Sequence, residues 1–341
     1  MYFGPPGDVL ASMNAPDFPT LMDHSRAVGA ARSARSGSAG PDAATRSGAT
    51  GGHHRSDEAS QHAAHVRHRL RRHRPARQTV ILTRRELSLL AARGPAGLLG
   101  LVGLAVVCGA FAALVATDRG LGGGPGGNPE ALQVVNLPVI GAVLCGQALS
   151  YGNVVADFPI VRREFRTGVS PGPVVAAKAL VYTGVGTIQA VVSSSVYLLF
   201  RPGPAAAFGL PSVILLVLPL IGTVVCSMAL GLLVSVCATR LERAVTLVTF
   251  ASVCQVALNG VPFTLTSGPL HLASLVVPAR WGQAALGSLT DVRRLVPGAP
   301  HDPLWVHRID RATLDNAMLA LLTALFLTAA WLVLRHRLRP T

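Results

Sequence analysis

The stretch GPAGLLGLVGLAVVCGAFAALVAT, Gly94 to Thr117, runs for 24 residues without one charged side chain. A helix rises about 1.5 Å per residue and the hydrocarbon core of a bilayer is about 30 Å thick, so about 20 residues cross it. Five more uncharged tracts follow: Ala131–Ala156, Ala179–Phe200, Pro202–Thr239, Ala244–Ala279 and Asn316–Leu334, of 26, 22, 38, 36 and 19 residues. The fourth and fifth of the six are too long for one crossing and too short for two. The fourth reads as a loop start at Pro202, Gly203 and Pro204 followed by a long helix from about Leu210 to Ala238. The fifth reads as a crossing that ends near Pro262, then an apolar segment that dips back without spanning. Lipid forbids exposed irregular backbone, so that segment packs on protein or lies at the surface. The expectation is an all-α integral membrane protein with six transmembrane helices.

Composition agrees with this reading. Length alone would suggest about two soluble domains, but charged residues are only 13% of the 341 and half the chain is apolar, with mean hydropathy +0.46. Ordinary globular proteins carry roughly 25% charged residues, and so few charges cannot cover a water-soluble globule of this size. Yet 30 basic residues stand against 16 acidic ones, a formal net charge of +14. Charge this basic and this sparse sits outside the apolar tracts. Met1 to Arg93 alone holds 14 arginines, 7 acids and 7 of the 11 histidines.

Arginine and lysine in short loops set orientation. Arg84, Arg85 and Arg93 precede the first tract, and Arg335, Arg337 and Arg339 follow the last. The loop after the second tract carries Arg162, Arg163, Arg166 and Lys178, and the next loop on that side carries Arg240 and Arg243. The opposite short loops hold only Arg119 and Arg201, while the long loop from Leu265 to Asp315 counts little under this rule. Six crossings with these charges place both termini in the cytoplasm and the protein in the cytoplasmic membrane.

The chain divides into a His/Arg-rich cytoplasmic tail, residues 1–76, and a membrane domain, residues 77–341. The tail has no periodic apolar pattern and no apolar core of a secretory signal, so it reads as disordered. Its run RHRLRRHRPAR, Arg67 to Arg77, suits anionic lipid headgroups. No aromatic residues interleave with these arginines, which argues against nucleic acid. His62, His65, His68 and His73 have metal-ligand chemistry, but a solvated basic tail is the preferred reading. Gln78 to Arg93, QTVILTRRELSLLAAR, reads as an interfacial helix whose apolar arc is interrupted by Glu86 and Arg93.

Catalytic signatures are missing from the sequence. A phosphate-binding loop needs GxxxxGK[ST], and the single lysine, Lys178, lies in Val-Ala-Ala-Lys-Ala. Gly122-x-Gly124-x-x-Gly127 has neither the preceding strand nor the following helix that a dinucleotide fingerprint requires. The five cysteines lie within apolar tracts without metal-ligand spacing, as small core residues do. No cofactor or metal site is expected. None of the six tracts contains Asp, Glu, Lys or Arg, so the sequence has no evident ion-coupled motor. Energy for uphill transport would then enter from another polypeptide through a cytoplasmic contact.

The best place for that contact is the loop FPIVRREFRTGVSPGP, Phe158 to Pro173, running into Lys178. Arg162, Arg163 and Arg166 flank Glu164 in one short helix that Gly168 and Pro171 would stop. Ordinary positive-inside charge with snorkelling side chains would produce the same pattern. Within the tracts, Asn136, Gln255 and Asn259 are candidates for a substrate path, with Gln255 and Asn259 four apart on one helix face. Gln147 and Gln189 read as helix–helix glue. Gly97, Gly100 and Gly103 form a small-residue stripe that permits close packing, and Trp281 and Trp305 read as interfacial anchors.

The segment RREFRTGVS ending in Ala177-Lys178, together with SLVVPARWGQAAL (Ser274–Leu286) and DPLWVH (Asp302–His307), resembles type-2 ABC exporter permeases of the G (white) subfamily. It is similar to the membrane half of actinobacterial fusions that join a forkhead-associated domain, an ABC ATPase and a permease. The resemblance implies six helices, an interfacial helix before the first, a coupling helix around Arg162–Thr167 and a re-entrant segment before the sixth. It also implies a partner ATPase that binds the ATP, and a dimer with itself or a related permease. Two departures stand out. A basic tail occupies the place of the fusions' ATPase, so the ATPase is expected on a separate chain unless the gene is a remnant or its start is misplaced. Val174 and Val175 stand where many such permeases carry an aromatic residue. The expected function is export of an apolar or amphipathic substrate. A membrane scaffold recruiting partners through its tail, a passive channel or flippase, and lastly a membrane enzyme remain the alternatives.

Overall fold

The computed structural model describes residues 75–122, 130–263, 265, 268–296 and 302–339. The tail up to Arg74 with its four candidate histidines, and Gly124 and Gly127, lie outside the described residues.

Within them the chain is helical, with no strand beyond one isolated bridge between Ala207 and Leu210. The helices are α1 (Pro75–Ala92), α2 (Gly94–Val115), α3 (Ala131–Ser150), α4 (Asn153–Arg166), α5 (Pro171–Phe200) and α6 (Ser212–Cys237). They continue as α7 (Leu241–Ala257), α8 (Pro269–Ser274), α9 (Pro278–Leu289), α10 (Val292–Leu295), a 3-10 turn (Pro303–Trp305) and α11 (Ile309–Leu338). Proline at the first turn of α2, α5 and α9 fits because the N–H it lacks has no intrahelical partner there. α6 begins and ends within the span expected for it.

Among the described residues, five helical stretches are long and apolar enough to cross a membrane: Gly94–Val115, Ala131–Arg166, Pro171–Phe200, Ser212–Cys237 and Ile309–Leu338. The expected fifth crossing is represented by α7, whose 17 residues rise about 26 Å. That falls just short of the hydrocarbon thickness, because Gly260 and the residues after it turn the chain away. The long loop before α11 is folded rather than open. Every residue of α9 is buried, and Trp281 and Trp305 are core residues beside Cys226, Leu319 and Phe326 instead of interfacial anchors. Trp281 Nε1 donates to Leu275 O at 2.7 Å, so its polar end is satisfied inside the protein.

α6 is the hub, packed on α3, α5, α9 and α11. Membrane helices gain little hydrophobic driving force from one another in lipid, so close backbone approach and hydrogen bonds hold them. The α3–α6 seam displays both. A Cβ at Gly146 would lie 2.3 Å from Val224 O, and one at Gly231 would lie 2.3 Å from Ser150 Oγ. Ser150 Oγ donates to Met228 O at 2.7 Å. The glycine stripe of α2 meets no other helix among the described residues of this chain: Gly100 and Gly103 have nothing within 4 Å, and Gly97 meets only Arg93. Close approach in α2 falls instead at Gly109, against the backbone of Ser193. Gln147 and Gln189 do join helices, Gln147 accepting from Ser252 of α7 and Gln189 Nε2 donating to Leu101 O of α2 at 2.6 Å.

Replacing Gly146 with Val is expected to separate α3 from α6 and cost about 1–3 kcal/mol. Thermal unfolding of the purified protein in detergent checks this against Gly100→Ala, which should leave the midpoint unchanged.

Candidate functional site

The charged loop after the second tract forms a junction of three helices. α4 is longer than the short helix expected around Arg162–Thr167: it starts at Asn153, inside the uncharged tract, after a turn at Tyr151 and Gly152. Its start is set from across the fold. The hydroxyl of Ser235 on α6 accepts from Val154 N at 2.9 Å and Val155 N at 3.1 Å. Those are two of the orphan donors that a helix start must place, and Gly152 at the cap position has no side chain to offer them. The helix ends where expected. Gly168 takes φ +104°, a left-handed conformation that a Cβ would oppose, and Pro171 opens α5.

Lys178, on α5, is 2% exposed. Its Nζ lies 3.2 Å from Glu86 Oε1 of α1 and 2.8 Å from Asp157 Oδ2 of α4. A buried ammonium is tolerable only with such partners. Glu86, read from sequence as a fault in the apolar face of α1, is therefore the residue of α1 that turns inward, while Val80, Ile81, Leu87 and Leu89 are exposed. Arg85 of α1 pairs with Glu164 of α4. About two turns earlier in α1, Gln78 Nε2 donates to Gly168 O at 3.4 Å and its Oε1 accepts from Ser170 N at 3.2 Å. Val174 and Val175 are buried in the same core. α1, α4 and α5 are thus tied at three levels.

The structure divides the expected loop residues by role. Glu164 is bound to Arg85, and Gly168 forms the turn. Arg162, Arg163 and Arg166 are exposed, and none of them pairs with a carboxylate among the described residues. Sequence reading missed Gln78, Glu86, Asp157 and Ser235. The available signal was the sole lysine standing at the edge of an uncharged run, which has to be matched by acids.

Asn136, Gln255 and Asn259 also come together. Asn259 Nδ2 donates to Asn136 Oδ1 at 2.7 Å, and Gln255 Oε1 accepts from Ala279 N of α9 at 3.3 Å. Asn259 and Gln255 are buried. Beside them Arg280 pairs with Asp302 at 2.6 Å, the two side chains being 1% and 5% exposed. Arg280 also donates to Asn259 O at 3.4 Å, and Arg293 Nη2 donates to Asp302 O at 2.8 Å. His307 Nδ1 donates to Ser288 O at 2.7 Å and so ties the end of this segment to α9. Helices also outrun the uncharged tracts: Lys178, Asp157 and the fully buried Asp315 lie within membrane-length helical stretches. The absence of ionisable groups from the tracts does not extend to the helices.

Lys178→Met should leave Glu86 buried beside Asp157 without a counter-charge and destabilise the protein by about 3–5 kcal/mol. The double change Lys178→Met with Glu86→Gln should recover most of that loss in the same thermal melt. Ser235→Ala should cost about 1 kcal/mol and raise amide hydrogen exchange at Val154 and Val155.

Residues 77–289 match the model of the ABC-2 type transporter family. Over 260 residues the chain is 34% identical to the ABC transporter ATP-binding/permease protein Rv1747 of Mycobacterium tuberculosis, covering 73% of this chain and 30% of that protein. The chain thus spans less than a third of that relative's length. The family match takes in more than half of the chain and includes the α1–α4–α5 junction. With five membrane-length apolar stretches beside it, the chain belongs to the ABC-2 type transporter family and is a multi-pass membrane protein carrying that family's permease domain.

Proposed function

We propose that this chain is the permease subunit of an ABC exporter in the cytoplasmic membrane, energised by an ATPase on a separate chain that docks on the exposed end of α4. The observation that carries the reading is the way α4 is held. Its last turn presents Arg163 to solvent while Glu164 and Asp157 tie it to α1 and α5. A push on that turn reaches two helices through ion pairs and not through a flexible loop. The only lysine of these 341 residues is buried between carboxylates, so it is not available for a nucleotide phosphate.

In this proposal α7 is the fifth of six crossings. Leu241, Val245, Leu247, Phe250, Val253 and Val256 give it an exposed apolar face suited to lipid. α1 lies at the interface with Val80, Ile81, Leu87 and Leu89 toward the acyl chains, α9 is the re-entrant segment, and both termini are cytoplasmic. A second copy or a related permease completes a dimer. The polar seam of Asn136, Gln255 and Asn259 borders a substrate path, and the neighbouring Arg280–Asp302 pair neutralises itself, which suits an apolar or amphipathic cargo.

Purification in mild detergent, followed by mass spectrometry of retained proteins, is expected to recover an ABC ATPase with the native chain. Arg163→Glu should abolish that recovery while leaving the stability within about 0.5 kcal/mol of native, since the side chain is exposed. A chain that retains no ATPase in either form, yet keeps other partners through its tail, would favour the scaffold reading.

A further inference from the structure

The arginines near the end of α4 do not share one surroundings. Arg162 and Arg166, with Phe158 and Phe165, occupy one face of the helix, and that face forms a cleft of about 550 Å³ with Arg337, Leu338 and Arg339 at the end of α11. Among the described residues no carboxylate lines it. Glu164, the acid nearest in sequence, points to Arg85 of α1. Arg337 is held in place: its Nη1 donates to Val236 O and, at 2.9 Å, to Ala238 O, satisfying carbonyls at the end of α6, and its guanidinium lies 4.3 Å from the centre of the Phe158 ring. Arg162, Arg166 and Arg339 have no carboxylate partner among the described residues.

Four guanidinium groups converging on one space repel each other, and the arrangement persists at lower cost with an anion among them. Both helices end at this cleft, and helix C-termini carry partial negative charge, so any attraction for an anion comes from the side chains. The cleft's depth identifies the anion's source. α11 has 30 residues, about 45 Å, and so outruns the hydrocarbon core. Trp331, with Arg335 5.6 Å from its ring centre, suits the boundary, and Arg337 lies about 9 Å beyond it, at headgroup level. The walls add Phe158, Phe165 and Leu338, which an inorganic ion would not need and which acyl-chain ends and glycerol would cover.

We infer that this cleft binds the phosphate headgroup of an anionic phospholipid. The site is a property of the permease chain and stands apart from ATPase docking at Arg163, so it is measured on the chain alone, and its failure would leave the docking proposal untouched. The full chain in an uncharged detergent is titrated with dioctanoyl phosphatidylglycerol, dioctanoyl phosphatidylcholine and inorganic phosphate, with binding followed by thermophoresis. Phosphatidylglycerol should bind, and the other two should bind at least tenfold more weakly. Arg162→Gln with Arg166→Gln should weaken phosphatidylglycerol by about tenfold or more. Arg240→Gln with Arg243→Gln, which removes the same charge elsewhere, should not. Equal losses in both pairs would overturn the site in favour of diffuse attraction. Inorganic phosphate binding as tightly as the lipid would make it a free-anion site, and phosphatidylcholine binding equally would remove charge as the basis of recognition. Arg339→Gln alone, expected to weaken binding severalfold, gives the same decision if the double variant does not fold.

Discussion

An ammonium group among membrane helices has to be neutralised where it stands, and Lys178 meets that demand with one carboxylate from the helix before the first crossing and one from the helix after the second. The cost of an unpaired buried charge is severe enough that neither helix can drift without the other. The orientation of α1, the position of α4 and the start of α5 are therefore one solution to one electrostatic problem. Arg85 beside Glu86 and Gln78 about two turns earlier extend the same clamp along α1. These ion pairs tie α1 to α4 and α5.

The segment between α7 and α11 solves a second problem of the same kind by burying Arg280 against Asp302. Here the charge fixes a fold-back. α9 is surrounded on every side, and the 3-10 turn at Pro303–Trp305 closes over it because Asp302 both pairs with Arg280 and accepts from Leu304 N at 2.9 Å. The two ion clusters thus fix two separate regions of the fold by one mechanism.

The six uncharged tracts made the helices legible because lipid imposes a length and a polarity that any single segment displays by itself. Helix α6 fell where Pro202–Pro204 and the apolar run after Leu210 placed it. What stayed hidden depended on pairs far apart in sequence. Ser235 capping α4, Glu86 meeting Lys178, and Arg280 meeting Asp302 leave no local pattern, and Glu86 even read as a defect in an amphipathic helix. Trp281 and Trp305 were misplaced for the same reason: a tryptophan's default is the interface, and only the packed partners reveal a core. The loop residues Arg162–Arg166 were found as a group, but only the three-dimensional arrangement separates Glu164, bound to α1, from the arginines that face the cleft or solvent.

The two ion clusters differ in the order in which their members are synthesised. Glu86 and Asp157 both precede Lys178, so the lysine leaves the ribosome with its counter-charges already made. Arg280 precedes Asp302 by about 20 residues, an interval on the order of a second or more at ordinary translation rates. For that interval α9 carries an uncompensated cation and has no reason to enter the protein interior. The order of synthesis therefore allows the α1–α4–α5 junction to pair its charges while the chain is still growing, whereas the fold-back at α9 waits for Asp302.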